Sequence, residues 1–316
     1  MNQTTNAVAA QMPSIKISLG AIQYFWDRNT LYEFYEAAAE SGADIIYLGE
    51  TVCGKRRSLS TTDWIELGRK LREAGKEVVL SSLCLIEAES ELNPIFRHCK
   101  ENDFTIEAND VAALNVASRS GVKCVAGTAL NIYNSYSLSS MLRMGVLRWV
   151  PPVEIGREAL GKIIGQIKGE VETELLVYGR APLAYSARCY TARLHDLAKD
   201  QCGLKCLDYP QGVPVYSQED EALFQINGIQ TQASRMTNLL PLWKEIQATG
   251  VNVLRFLPND IHSLNVLNDF AAQVRSGSDY VPSNVGLGVD ANAEFCNGYW
   301  YEQEGMVYTA DSTKEM

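Results

Sequence analysis

Thr30–Arg57 reads TLYEFYEAAAESGADIIYLGETVCGKRR and holds one complete structural unit. TLYEFYEAAAESG has the amphipathic period of a helix and stops at Gly42, where glycine tolerates the left-handed turn that closes a helix. DIIYLGE, from Asp44, is nearly continuous in apolar residues, as a parallel strand covered on both faces should be. A polar loop follows at once, carrying Cys53 and the basic run GKRR (Gly54–Arg57).

The same rhythm repeats in both directions. Strand-like runs begin at Ile15 (IKISLGAI), Glu77 (EVVLSSL), Phe104 (FTIEAN), Val122 (VKCVAGTAL), Val146 (VLRWVPPVE), Glu174 (ELLVYGR) and Val251 (VNVLRFLP). Helical patterns such as TTDWIELGRKLREAG and PLWKEIQATG lie between them, with stops at Gly75, Gly121, Gly145, Gly250 and Gly277. Eight strands alternating with helices predict an α/β fold, a TIM-barrel-like (β/α)8 single domain. The alternative, an open doubly wound sheet, usually has a phosphate loop after its first strand, and LGAIQYFW is not Gly-rich. The rhythm breaks between the seventh and eighth strands, where about 181–250 form an insertion longer than a barrel unit needs. Residues 1–13 read as a disordered tail, 14–277 as the barrel-like domain, and 278–316 as an irregular extension wrapping the body.

The 316 residues carry a formal charge of −10, 46% hydrophobic and 21% charged residues, and a pI near 5.0. That balance argues against a nucleic-acid surface, which rests on clustered Lys and Arg. MNQTTNAVAAQMPS has no secretory pattern and no apolar run is long enough to span a bilayer, so a cytoplasmic location is expected. Thiols stay reduced there, and the eight cysteines read as buried hydrophobes, nucleophiles or metal ligands rather than bridges.

Barrel sites form at the carboxyl ends of strands. Cys53 follows the second strand and Cys189 the seventh, so both open on one rim, with Cys202 and Cys206 in the loop above. Converging thiols mean zinc or an iron–sulfur cluster. Only Cys202 and Cys206 form a close pair, whereas zinc usually takes two such pairs; widely spread single ligands suit a cubane. Lys55, Arg56, Arg57, Arg188, Arg193 and Lys205 would offset a thiolate cluster's charge. Unliganded loop cysteines remain the bland alternative. Cys99 and Cys124 read as packing residues; Cys84 faces the same rim, and Cys296 is a weaker candidate. Glu50, Glu107, Asn131, Asn134, Glu154 and Arg180 close strands, as caps and rim polarity or as a polar pocket beside the thiols.

His98, His195 and His262 are scattered, with no HExxH, and neither a nucleophile elbow nor a P-loop is present. His195 lies between two cysteines and could pair with a thiol, but reads first as a loop residue. Gly286-x-Gly288-x-x-Ala291 reads as a turn rather than a dinucleotide loop. No catalytic residue can be assigned from these patterns.

IIYLGETVCGKRR, VAGTALNIYNS, LRWVPPVEI, LVYGRAPLAYSARCYTAR and EFCNGYW resemble the UbiV branch of the collagenase-like peptidase family, over roughly residues 14–301. The resemblance implies a barrel-type fold with a [4Fe–4S] cluster on Cys53, Cys189, Cys202 and Cys206. It implies a heterodimer with a homologous UbiU-like subunit, supporting oxygen-independent hydroxylation of the ring in anaerobic ubiquinone biosynthesis. A UbiT-like lipid-binding protein would present the prenylated quinone precursor, with prephenate as the proposed oxygen donor. The wider family usually shows Glu-x-Phe-x-His-Gly followed closely by cysteine. Here Tyr178 stands at the histidine place and Pro182 at the cysteine place, which tells against peptidase activity. An RNA-hydroxylating enzyme, a peptidase and a non-catalytic iron–sulfur scaffold are the competing expectations.

Overall fold

Eight strands, most of them nearly continuous in buried apolar residues, decide the architecture. The computed structural model describes residues 14–101, 103–282 and 295–309. Seven strands come first: β1 (Lys16–Leu19), β2 (Ile45–Leu48), β3 (Glu77–Ser81), β4 (Thr105–Ala108), β5 (Cys124–Ala126), β6 (Val146–Trp149) and β7 (Glu172–Tyr185). The inserted segment adds β8 (Val213–Tyr216), β9 (Ala222–Asn227) and β10 (Gln230–Asn238). β1 to β7 pair in parallel, each with the next, and β11 (Val253–Phe256) pairs in parallel with both β1 and β7. The ring is closed, as the β/α alternation requires.

Helices α1 (Arg28–Ala39), α2 (Thr61–Glu73), α3 (Asn93–Glu101), α4 (Val111–Arg119), α5 (Ser135–Leu142) and α6 (Arg157–Ile167) follow the first six strands. Several starts are written in the sequence. Asp27 caps α1 by accepting from the amides of Asn29 and Thr30, Ser60 and Asp63 form a capping box on α2, and Asn134 caps α5. Of the predicted glycine stops, Gly75, Gly121, Gly145, Gly250 and Gly277 have positive φ. Gly42 does not; there a Cβ would lie 2.4 Å from that of Ala271, so close packing selects glycine.

Ile46 and Leu48 of β2, Val78 and Leu80 of β3, and Leu175 and Val177 of β7 pack outward in the core shared with the helices. Ile45, Tyr47, Val79, Val125 and Val253 point inward. The interior is not purely apolar. Glu174 is fully buried; it accepts from Ser18 Oγ at 2.6 Å and Tyr47 OH at 2.5 Å. Arg148 Nε lies 3.6 Å and Arg255 Nε 3.2 Å from the same carboxylate. Toward the amino end of the strands Arg148 bonds Glu77 at 2.8 Å and Glu172 at 2.6 Å; toward the mouth Arg255 bonds Glu107 at 2.5 Å.

The inserted segment is ordered structure. β7 was expected to end near Arg180 but runs on to Tyr185, because β10 pairs antiparallel along its extension. β9 and β8 add to β10 in turn. Gly179 lies where β7 leaves the ring. Its φ is +123°, and a Cβ there would meet the Leu257 carbonyl oxygen at 2.4 Å, so only glycine fits. The segment also holds α7 (Tyr190–Leu194), and α8 (Trp243–Ala248) precedes β11; α9 (Ser263–Ser276) completes the ring of helices. Past Gly277 the described part is not mere coil. β12 (Phe295–Cys296) pairs with β10, and Trp300 is buried in the core. The tail before residue 14 and the Gly286–Ala291 turn lie outside the described residues. Among the described residues no helix is long and apolar enough to cross a membrane.

Removing one partner of a buried charge network costs far more than removing an exposed pair. Arg148→Met is expected to lower stability by about 3–5 kcal/mol in urea unfolding, whereas Lys162→Met, which breaks the exposed pair with Glu158, should change it by less than about 0.5 kcal/mol. Equal effects would show that the interior network is not a stabilising constraint.

Candidate active site at the barrel mouth

The loop after β2 is built around one buried guanidinium. Glu50 accepts from the amides of Val52 at 2.8 Å and Cys53 at 3.0 Å, which turns the chain sharply outward. Arg56 then folds back into the protein. It donates to the Gln23 carbonyl at 2.8 Å and to Asn227 Oδ1 at 2.7 Å, and lies 4.0 Å from Glu50. Of the six cations expected near the thiols, Arg56 alone is buried. It joins the loops after β1 and β2 to the β9–β10 turn.

That turn in turn places Cys189. The Gly228 amide donates to Thr191 Oγ1 at 3.1 Å, and the Tyr190 amide donates to the Gly228 carbonyl at 2.9 Å. Cys189 caps α7, its Sγ accepting from the Ala192 amide at 3.5 Å. Cys206 sits on the 3-10 turn Lys205–Asp208, within the electrostatic reach of Arg56. Cys202 closes the turn Lys199–Gln201, which Lys55 Nζ clamps through the Lys199 carbonyl at 2.6 Å and Asp200 at 2.8 Å.

All four cysteines are free and half-buried. Burial pushes the Cys53 and Cys206 thiols up, the charge of Arg56 opposes the shift in both, and that of Cys189 adds to it. Three thiols therefore share one electrostatic environment, and Lys55 feels both Cys202 and Cys53. Among the described residues no three His, Cys, Asp or Glu side chains stand close enough together to hold a metal ion. The donor chemistry suits a thiolate-bound cluster, thiols on one rim beside the cations Arg56 and Lys55, but the thiols would have to draw inward to ligate one.

Inside the rim lies a small pocket with polar groups on one part of an otherwise apolar wall, which the strand pattern only partly foretells. Glu107, Arg255, Asn109, Cys84, Tyr185 and Gln23 are among its lining residues. Glu107 accepts from Ser81 Oγ at 2.6 Å as well as from Arg255. Gln23 Oε1 accepts from Gln232 at 2.9 Å and from Gln230 at 3.2 Å. The signal for these amides was the glutamine alternation in GIQTQ, which puts Gln230 and Gln232 on one face of β10. Burial pushes the Cys84 thiol up to about 12, against the lowering effect of the neighbouring Tyr185 hydroxyl.

The other expected candidates are structural. Asn131 ends a 3-10 turn in the left-handed region, Asn134 caps α5, Glu154 accepts from Tyr133 OH at 3.0 Å, and Arg180 bonds the Ser234 carbonyl. Cys99 and Cys124 are buried packing residues, and Cys296 is buried on β12. His195 bonds Tyr209 OH at 3.0 Å rather than a thiol.

Residues 31–255 match the sequence profile of peptidase family U32. Among solved structures, the U32 peptidase Mk0906 aligns at 12% identity and TM-score 0.44, over 78% of this chain and 94% of that one. Phospho-2-dehydro-3-deoxyheptonate aldolase from Thermotoga maritima aligns at 9% identity and TM-score 0.47, over 83% and 69%. Dihydropteroate synthase from Anaplasma phagocytophilum, with bound 6-hydroxymethylpterin-monophosphate, aligns at 13% and 0.40, over 83% and 100%. Likeness at this level says nothing of activity.

A thiol with its pKa near 12 is almost entirely protonated at pH 8. Cys84 is expected to react with iodoacetamide at least ~100-fold more slowly than free cysteine in the folded protein, read by mass-spectrometric mapping. Fast labelling of Cys84 would contradict the burial described.

Proposed function

We propose that this chain, which belongs to peptidase family U32, works in the cytoplasm as the [4Fe–4S] subunit of a UbiU–UbiV-type heterodimer. That heterodimer is required for oxygen-independent hydroxylation of the aromatic ring in anaerobic ubiquinone biosynthesis. The observation that supports the reading is that Cys53, Cys189 and Cys206 lie within electrostatic reach of one another at the carboxyl end of the barrel, beside Arg56, with Cys202 beside Lys55. These four thiolates would hold the cluster, which supplies single-electron transfer when bound. Arg56, desolvated and fixed by Gln23 and Asn227, would offset the negative charge of the ligand set. Glu50 holds the Cys53 loop open toward it.

The pocket inside the rim, with Glu107, Asn109 and Gln23 on its wall, is about 30 Å³, room for a water or two rather than an aromatic ring, so the substrate ring would lie outside it. Arg255 stays committed to Glu107 and Glu174, so it shapes the pocket rather than capturing a free anion. A UbiT-like lipid carrier would bring the prenylated precursor, and prephenate is the proposed oxygen donor. Peptidase chemistry is disfavoured by the side chains themselves. Cys84 is held protonated, and His195 is engaged by Tyr209, so neither forms a nucleophile–base pair.

Protein purified without oxygen is expected to contain roughly four irons and four sulfides per chain. Alanine at Cys53, Cys189, Cys202 or Cys206 should each abolish most of that iron, while Cys84→Ala retains it. Iron-free wild-type protein, or iron unchanged in the four variants, would sink the cluster assignment.

A further inference from the structure

A second depression opens between α2 and α3, beside the loop that carries Cys53 but using none of its thiols. Its cavity is about 780 Å³, within the range that takes a drug-sized molecule. The loops after β2 and β3 form its inner end, so it too lies at the functional end of the barrel. Trp64, Leu59, Ile95 and Leu83 supply an apolar wall.

The polar lining is unevenly matched. Among its lining residues the cationic side chains Arg28, Lys55, Arg56, Arg57 and Arg97 face the carboxylates Glu50, Asp63 and Glu91. Asp63 is spent on Arg28, which grips it at 2.7 and 2.9 Å. Glu50 holds the Cys53 loop, and Glu91 accepts from the amides of Glu87 at 2.8 Å and Ala88 at 3.2 Å. Arg57 and Arg97 have no acidic partner among the described residues. Arg57 reaches only the Gly54 carbonyl at 3.4 Å, and Arg97 only Thr62 Oγ1 at 2.9 Å.

A second observation is independent of that charge count. His98 borders the groove, is 5% exposed, and its Nε2 is buried with no hydrogen-bond partner. A polar atom left buried and unsatisfied is destabilising, and a ligand atom that reached Nε2 from the groove would satisfy it. Burial also holds the imidazole neutral, its pKa lowered to about 4, so His98 adds a hydrogen-bonding group and no charge.

We propose that this groove binds a small organic oxyanion, a carboxylate or phosphate head on an apolar body. The head lies between the Arg57 and Arg97 guanidiniums, which suit planar recognition of such groups. The body lies against Trp64 and Leu59, with His98 completing the polar contacts. The site does not depend on the cluster; metal-free protein should bind the same ligands.

Isothermal titration of the full chain with 3-phenylpropionate, phenyl phosphate, 3-phenyl-1-propanol and inorganic phosphate tests this. One or both organic anions should bind, and the tighter of the two identifies the head group. The alcohol and inorganic phosphate should bind at least about tenfold more weakly, since each lacks half of the recognition. Arg57→Gln with Arg97→Gln should weaken the anions about tenfold with an unchanged thermal midpoint, because both side chains are exposed. The imidazole nitrogen resonances of His98 should move on binding while those of His262 stay. No binding by either anion, equal binding by the alcohol or by inorganic phosphate, full affinity in the double variant, or a stationary His98 would each overturn the proposal.

Discussion

The carboxylate of Glu174 is the point on which the barrel is strung. It is fully buried, and its partners come from four other strands: Ser18 of β1, Tyr47 of β2, Arg148 of β6 and Arg255 of β11. An ionised carboxylate inside a protein is tolerable only when neighbours replace the lost water. Slipping any of these strands by one residue would turn its partner away toward the helices and strand the charge. The network therefore specifies register as well as closure. It continues through Arg255 to Glu107, so the same interaction that fixes the ring also shapes the pocket at its mouth.

From that frame the upper structure follows. β7 carries Glu174 low in the ring and then passes Gly179, the one point where it can bend past Leu257. Its extension gives β10 an edge to pair with, and the β9–β10 turn comes back over the rim to meet Arg56. The thiols are thus not placed by their own loops alone. Cys53 depends on Glu50 and Cys189 on Gly228, both supports meet the buried Arg56, and the charge of Arg56 reaches Cys206.

The fold was legible because its alternation is written in apolar strands, capping residues and helix-closing glycines. Asn134 caps α5, as one reading of the strand-end residues expects, and the Ser60–Asp63 capping box adds a start that the apolar pattern alone does not mark. The buried charges were harder to see. Arg148 and Arg255 sit in runs, VLRWV and VLRFL, that look almost wholly apolar, and only the ring's closure shows that both point inward. The inserted segment was visible as excess length. Its sheet was not, since strand pairing with the extended β7 is a non-local choice that short, proline-interrupted runs such as Val213–Tyr216 do not announce. For the site, loop position placed the cysteines on one rim, while the role of Arg56 as their common support required three-dimensional contacts with Gln23 and Asn227. The His98 groove had no sequence signal, because an orphaned nitrogen is a property of packing.

The most direct measurement is the quinone content of a strain lacking this protein, grown with and without oxygen. The account predicts that ubiquinone disappears only without oxygen, that the chain restores it, and that a chain with Cys53 and Cys189 replaced by alanine does not. Normal ubiquinone in the anaerobic deletion strain would contradict it.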